Sequence, residues 1–107
     1  LARADADRGR VLQEDAQAIA QTLLRHCGKK GVALSHFATA WVLANRAVSA
    51  VIAGPRTFLQ WTDYLGALEV TLDAADEALV DSLVAPGHPS TPGYTDPAYP
   101  LAGRITV

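Results

Sequence analysis

The residues with the clearest chemical potential lie in the stretch Val48–Trp61, VSAVIAGPRTFLQW, where an apolar run ends in Gly54-Pro55-Arg56-Thr57 and a new helix begins. The free N–H groups of a first helical turn point outward, and the helix macrodipole adds partial positive charge there. A guanidinium adds a planar fork of donors. An arginine one residue before a helix start is therefore a natural seat for a phosphate. On bare sequence Arg56 also fits a solvated surface charge, and the Gly-Pro before it and the capping Thr57 after it narrow the gap between the two roles. Thr57 followed three residues later by Gln60 matches a capping box, which stabilises a helix start without any ligand. Both roles are compatible. Asp63, one turn beyond Gln60 on the same face, is by default a solvated helix acid, and Tyr64 follows it.

The elements that must position these residues are mostly helices. From Val11 to Cys27 the residues Leu12, Ala16, Ile19, Ala20, Leu23 and Cys27 recur at intervals of three and four, and Gly28 follows as a C-terminal stop. A second helix is predicted over Leu34–Ala44, with Phe37, Ala38, Trp41 and Ala44 on one face and no capping side chain immediately before Leu34. Val48–Ala53, with two valines and Ile52, predicts a short buried strand. A lone strand leaves its backbone donors and acceptors without a ladder, at about 1 to 3 kcal/mol per buried unpaired group. Either this segment is no strand or its neighbours lie outside the sequence. The helix opened by Thr57 is expected to run to Leu68, burying Phe58, Trp61, Leu65 and Leu68, and Asp73 is expected to cap a last helix through Val84. Trp41 and Trp61 sit at core spacing, and His36 is expected to be exposed. From Pro86 onward the chain holds five of its six prolines, which predicts an irregular, extended tail.

Composition bounds the function. At 107 residues and a formal net charge of −2, the chain offers no electrostatic reason to bind nucleic acid. No apolar run approaches the ~18 residues of a spanning helix, and LARADADRGR is too charged for a signal peptide, so a cytoplasmic protein without a membrane partner is expected. Cys27 is the sole cysteine and is expected to be a small buried hydrophobe; no metal site is expected from three scattered histidines. The chain contains no Met and begins with Leu1, which predicts a piece of a longer protein.

Three blocks, FATAWVLAN (37–45), VIAGPRTFLQWTDYLGAL (51–68) and GHPSTPGYTDPAYPLAGR (87–104), resemble the end of an aldo-keto reductase. The resemblance implies an α/β fold, the C-terminal segment of a (β/α)8 TIM barrel, with residues 1–10 a charged lead-in, 11–85 helices with one strand at 48–53, and 86–107 a tail. It implies a cofactor site for NADP(H). Gly54 and Pro55 would form the turn that admits the cofactor, and Arg56 would bind the adenosine 2′-phosphate. Thr57 would add its hydroxyl and amide, Gln60 would lie beside phosphate and ribose, and Asp63 would accept from the adenine amino group. Tyr64 replaces the usual Asn, and a phenol lacks an amide's paired donor and acceptor, although its ring can stack. The family's Asp, Tyr, Lys and His tetrad has no counterpart here, so no catalytic residue is assigned. The complete enzyme would reduce small carbonyl compounds, while this chain alone is expected to be inactive and to need the remainder of the barrel. The tail would help cover the pocket, bringing His88, Tyr94, Asp96 and Tyr99 near substrate. The alternatives are a non-catalytic helical partner-binding module or truncated gene product, and a helix-turn-helix on Ser35–Ala50, which the net acidity disfavours.

Overall fold

The computed structural model describes residues 2–91 and 96–104, with the side chains of residues 2–8, 11 and 12 left aside. Four α-helices follow one another: α1 (Ala2–Lys30), α2 (Leu34–Leu43), α3 (Phe58–Leu65) and α4 (Ala74–Leu83), with a 3-10 turn at Gly66–Glu69 between the last two. The first helix is longer than its periodic core. The charged lead-in at 2–10 is helical, and Gly28 does not stop the helix. Termination comes three residues later, where Gly31 adopts φ +78°, the left-handed conformation that favours glycine. The Val32 amide then donates to the Cys27 carbonyl and the Gly31 amide to that of Gly28, the paired bonds of a Schellman ending.

The predicted strand at 48–53 does not form among the described residues, and Ile52 is fully exposed rather than buried. With no second strand to supply a ladder, the backbone polar groups of this segment are better left to water. Among the described residues the one β-bridge is an isolated antiparallel pair, Asn45 with Arg104.

α2 is the hub. It packs against α1, α3 and the 3-10 turn. Phe37 and Ala40 on α2 are buried together with Cys27 from α1 and Ala67 from the turn. The His26 ring meets Phe37 edge-on, with centroids 6.0 Å apart. The chain is less tightly drawn together than an ordinary domain: its radius of gyration is 15.5 Å, against about 13 Å expected for this length. The excess reflects the 29-residue α1, about 43 Å long, which matches the 47 Å longest extent of the chain, and several apolar faces have nothing opposite them among the described residues. Trp61 and Leu65, expected in the core, are 49% and 46% exposed, and Phe58 and Leu68 more so.

α4 is docked by a buried carboxylate. Asp76 forms a reciprocal capping box with Asp73, each side chain accepting from the other's amide. The same Asp76 carboxylate accepts from His26 Nε2 at 2.5 Å and is paired with Lys30 Nζ, which also donates to the Thr71 carbonyl. Burial alone would raise the Asp76 pKa. The hydrogen bonds from His26, Lys30 and the Asp73 amide, with the Lys30 charge, outweigh burial and hold it at about 2, below its ordinary 3.8. Burial pushes the neighbouring Cys27 thiol up, which keeps it protonated and inert.

The tail returns to the helices and is fastened around Arg104. Arg104 donates to the Trp41 carbonyl and to Glu77 on α4, and its guanidinium lies 4.1 Å from the centre of the Trp41 ring. The Arg46 amide donates to the Gly103 carbonyl at 2.7 Å, and the Leu101 amide to the Gly87 carbonyl at 2.9 Å. Tyr99 is exposed and takes no part in this anchoring.

Two outcomes are expected. A carboxyl whose folded pKa lies below its unfolded value stabilises the fold above about pH 4, and that stabilisation fades as pH falls through about 2. The drop corresponds to about 2 kcal/mol, so unfolding free energies measured by denaturant titration should lose about that much less on acidification in Asp76→Asn than in the wild type. Arg104→Ala should cost about 2 to 3 kcal/mol, from lost charge-assisted bonds and the ring contact. Hydrogen exchange should then show the amides of Leu101 and Arg46, which donate to the Gly87 and Gly103 carbonyls, losing protection ahead of α2.

Candidate functional site

The start of α3 is built as its sequence suggests. Thr57 is the N-cap, its Oγ1 accepting from the Gln60 amide at 3.1 Å. The Gln60 side chain reaches back one residue further than the standard box, accepting at Oε1 from the Arg56 amide at 2.6 Å. The two bonds pin the Arg56-Thr57 backbone onto the first turn. The Phe58 and Leu59 amides, which have no intrahelical acceptor, are left pointing out of the helix start.

Beside this start lies an open cavity of about 460 Å³ lined by Ser35, Gly54, Arg56, Gln60, Asp63 and Tyr64. Five of the seven residues singled out by sequence thus share one wall. The other two do not line it: Thr57 turns its hydroxyl into the cap and Pro55 stands half-buried in the preceding turn. Gly54 has no positive φ, and a Cβ there would meet no atom within 4 Å, so its value at this wall is the space it leaves. Among the described residues no carboxylate pairs with the Arg56 guanidinium, which stands exposed at the rim. A cationic fork with no protein anion, beside outward-pointing amides, suits an anionic ligand.

Asp63 is not simply solvated. Its Oδ1 accepts from Nε2 of His36, on α2, at 3.2 Å. His36 is correspondingly only 20% exposed, in contrast to the expected exposed position. The imidazole lies against Gly66, where a Cβ would come within 2.5 Å of its Cε1 atom. Sequence reasoning missed both His36 and Ser35, since they stand more than twenty residues from Asp63 and nothing local ties them to α3.

The other suggested residues lie elsewhere. His88 lines a separate, largely apolar cavity of about 350 Å³ between α1, α2 and α4, away from Arg56. Asp96 closes a turn of its own, accepting from the Ala98 amide at 2.9 Å, and Tyr99 is exposed. Tyr94 lies outside the described residues. No group of three or more His, Cys, Asp or Glu side chains among the described residues is arranged to hold a metal ion. None of the described helices is long and apolar enough to cross a membrane.

Comparison with known proteins identifies the family of the chain. An uncharacterized oxidoreductase, YrpG, of Bacillus subtilis (strain 168) is 36% identical over 73 residues, which cover 68% of this chain and 21% of that protein. The chain thus spans about a fifth of the length of that curated relative. No solved structure matches. The family description "Aldo/keto reductase family" matches residues 2–85, taking in all four helices, the Arg56 turn and the whole cavity wall, and the chain belongs to that family.

Proposed function

We propose that this chain is the C-terminal portion of an NADP(H)-dependent carbonyl oxidoreductase, the closing segment of a (β/α)8 barrel. In this reading Gly54, Pro55, Arg56, Thr57, Gln60, Asp63 and Tyr64 hold the adenosine 2′-phosphate half of the cofactor. The observation that carries it is the convergence of Arg56, Gln60, Asp63 and Tyr64 with Gly54 on one open cavity at the start of α3. The donor set fits a phosphate monoester. Arg56 offers a guanidinium that no carboxylate among the described residues competes for, and the first-turn amides add donors without acceptors.

When bound, NADP(H) supplies the hydride for carbonyl reduction. The work of this chain's residues is binding and orientation at the far end of that molecule. Arg56 neutralises the 2′-phosphate, and the Gln60 bond to the Arg56 amide fixes the backbone from which the guanidinium extends. Asp63 presents a carboxylate to the adenine amino group, and the half-buried Tyr64 offers a ring face in place of an amide. No residue here takes the role of the tetrad, so proton delivery to the carbonyl oxygen falls to earlier units of the barrel. Those units would also cover what this chain leaves bare. Ile52 is fully exposed, and Phe58, Trp61 and Leu65 form an apolar strip on α3. Residues 48–53 would become a strand when neighbouring strands supply their ladder. The substrate would be a small carbonyl compound, the compartment the cytoplasm, with neither nucleic acid nor membrane as partner.

Arg56→Ala in the full-length protein should weaken NADPH binding by about 1.5 to 3 kcal/mol, the cost of a lost charge-assisted contact, and NADH binding much less. Cofactor titration by fluorescence separates the two, and equal losses would overturn the phosphate role. Residues 1–107 purified by themselves should give no NADPH-dependent carbonyl reduction; turnover by the verified fragment would show that the chain holds its own proton donor.

A further inference from the structure

We propose that His36 is a positioning residue for the nucleotide: by holding one oxygen of Asp63 it aims the other into the cavity, and so sets how strongly the site recognises an adenine amino group. The inference rests on the reading of the Arg56 cavity as the adenosine end of an NADP(H) site, and it adds an element that the Gly54–Tyr64 stretch does not contain. Asp63 is on α3 and largely exposed, and a free carboxylate in that position would sample several rotamers. The contact with His36 biases it toward one. His36 Nε2 lies 3.2 Å from Oδ1, and since a carboxylate only accepts, this ring nitrogen carries the proton and donates. Oδ2 has no partner among the described residues, while Asp63 lines the cavity.

The ring itself is held from behind. Gly66 begins the 3-10 turn with φ −60° and ψ −21°, values open to any residue, so no backbone requirement explains a glycine there. Space explains it, because a Cβ would fall 2.5 Å from His36 Cε1 and 3.0 Å from both ring nitrogens. Gly66 lies three residues after Asp63, so one short stretch of chain both receives the imidazole and presents the carboxylate the imidazole holds. Ser35, adjacent to His36 on α2, lines the same cavity and makes α2 its second wall.

The test uses the full-length protein and three cofactors: NADPH, NADH, and the NADPH analogue with hypoxanthine in place of adenine, which lacks the amino group. The wild type should bind NADPH about tenfold more tightly than the hypoxanthine analogue, in Kd read by fluorescence titration without substrate, the value of one charge-assisted hydrogen bond. Asp63→Ala should abolish that preference. His36→Ala should reduce it to near the Asp63→Ala level, and His36→Gln, whose amide can reach as Nε2 does, should restore most of it. Gly66→Ala displaces the ring from the other side and should reproduce the His36→Ala loss, which keeps the test decisive if one variant folds poorly. In all of these the preference for NADPH over NADH, carried by Arg56, should persist. If His36→Ala and Gly66→Ala leave the amino-group preference intact while Asp63→Ala removes it, the positioning role is overturned. If the wild type shows no such preference, the role is likewise overturned. If Arg56→Ala also leaves the NADPH to NADH ratio unchanged, the underlying reading of the cavity has failed, which is a different result.

Discussion

A carboxylate withdrawn from water must recover, from fixed donors, the hydrogen bonds it has lost. Asp76 recovers them from His26 and Lys30 on α1 and from the Asp73 amide at the start of its own helix. One oxygen faces His26, while the other serves Lys30 and the cap, so the carboxylate fixes where α4 begins and how α1 lies against it. Lys30 binds Asp76 with its charge and Thr71 with a further donor, so the last turn of α1 also holds the strand-like approach to α4. The side chains beside this cluster inherit its order. His26 sets its edge on Phe37, and Cys27, fully buried next to it, becomes a packing residue.

α2 transmits that order to the cavity. Phe37 and Ala40 turn inward, while the preceding Ser35 and His36 face the cavity side and α3. Neighbouring residues on a helix point about 100° apart, and this is what lets one short helix serve core and site together. The 3-10 turn is the counterpart on the other side: Ala67 is buried in the core and Gly66 receives the imidazole. A site whose walls come from α2 and α3 therefore depends on how closely those helices approach, and at Gly66 a Cβ would already meet the His36 ring.

The edges of the structure follow a different logic. α3 turns Phe58, Trp61 and Leu65 to solvent, and its eight residues hold their place through the Thr57 cap and the contact with α2 and the turn. The tail after α4 is irregular, yet Arg104 gives it a definite path. A guanidinium over the Trp41 ring, bonded to a carbonyl and to Glu77, satisfies both the apolar face and the donors of the side chain.

The sequence alone determined the local features. The start of α3 at Thr57, the Asp73 cap of α4, the uncapped entry to α2 and the irregular tail are all set by contacts within about four residues, or by composition, so their signals are written side by side in the chain. The family resemblance was carried by such local blocks as well. Periodicity placed Cys27 and Phe37 on faces that are buried, and went astray on faces left without a partner among the described residues: Trp61, Leu65 and Leu68 have core spacing, and residues 48–53 have strand composition, but apolar spacing says only that a face can be covered and a strand needs a ladder. Helix α1 outran Gly28 because a glycine ends a helix only where the chain needs the left-handed conformation, and that need arises at Gly31. What only the tertiary structure decided were the pairings at long separation, His36 with Asp63, His26 and Lys30 with Asp76, and Arg104 with Trp41 and Glu77. Each joins helices or the tail across 27 to 63 residues, a distance at which charge and donor chemistry in the sequence identify many possible partners and packing selects one.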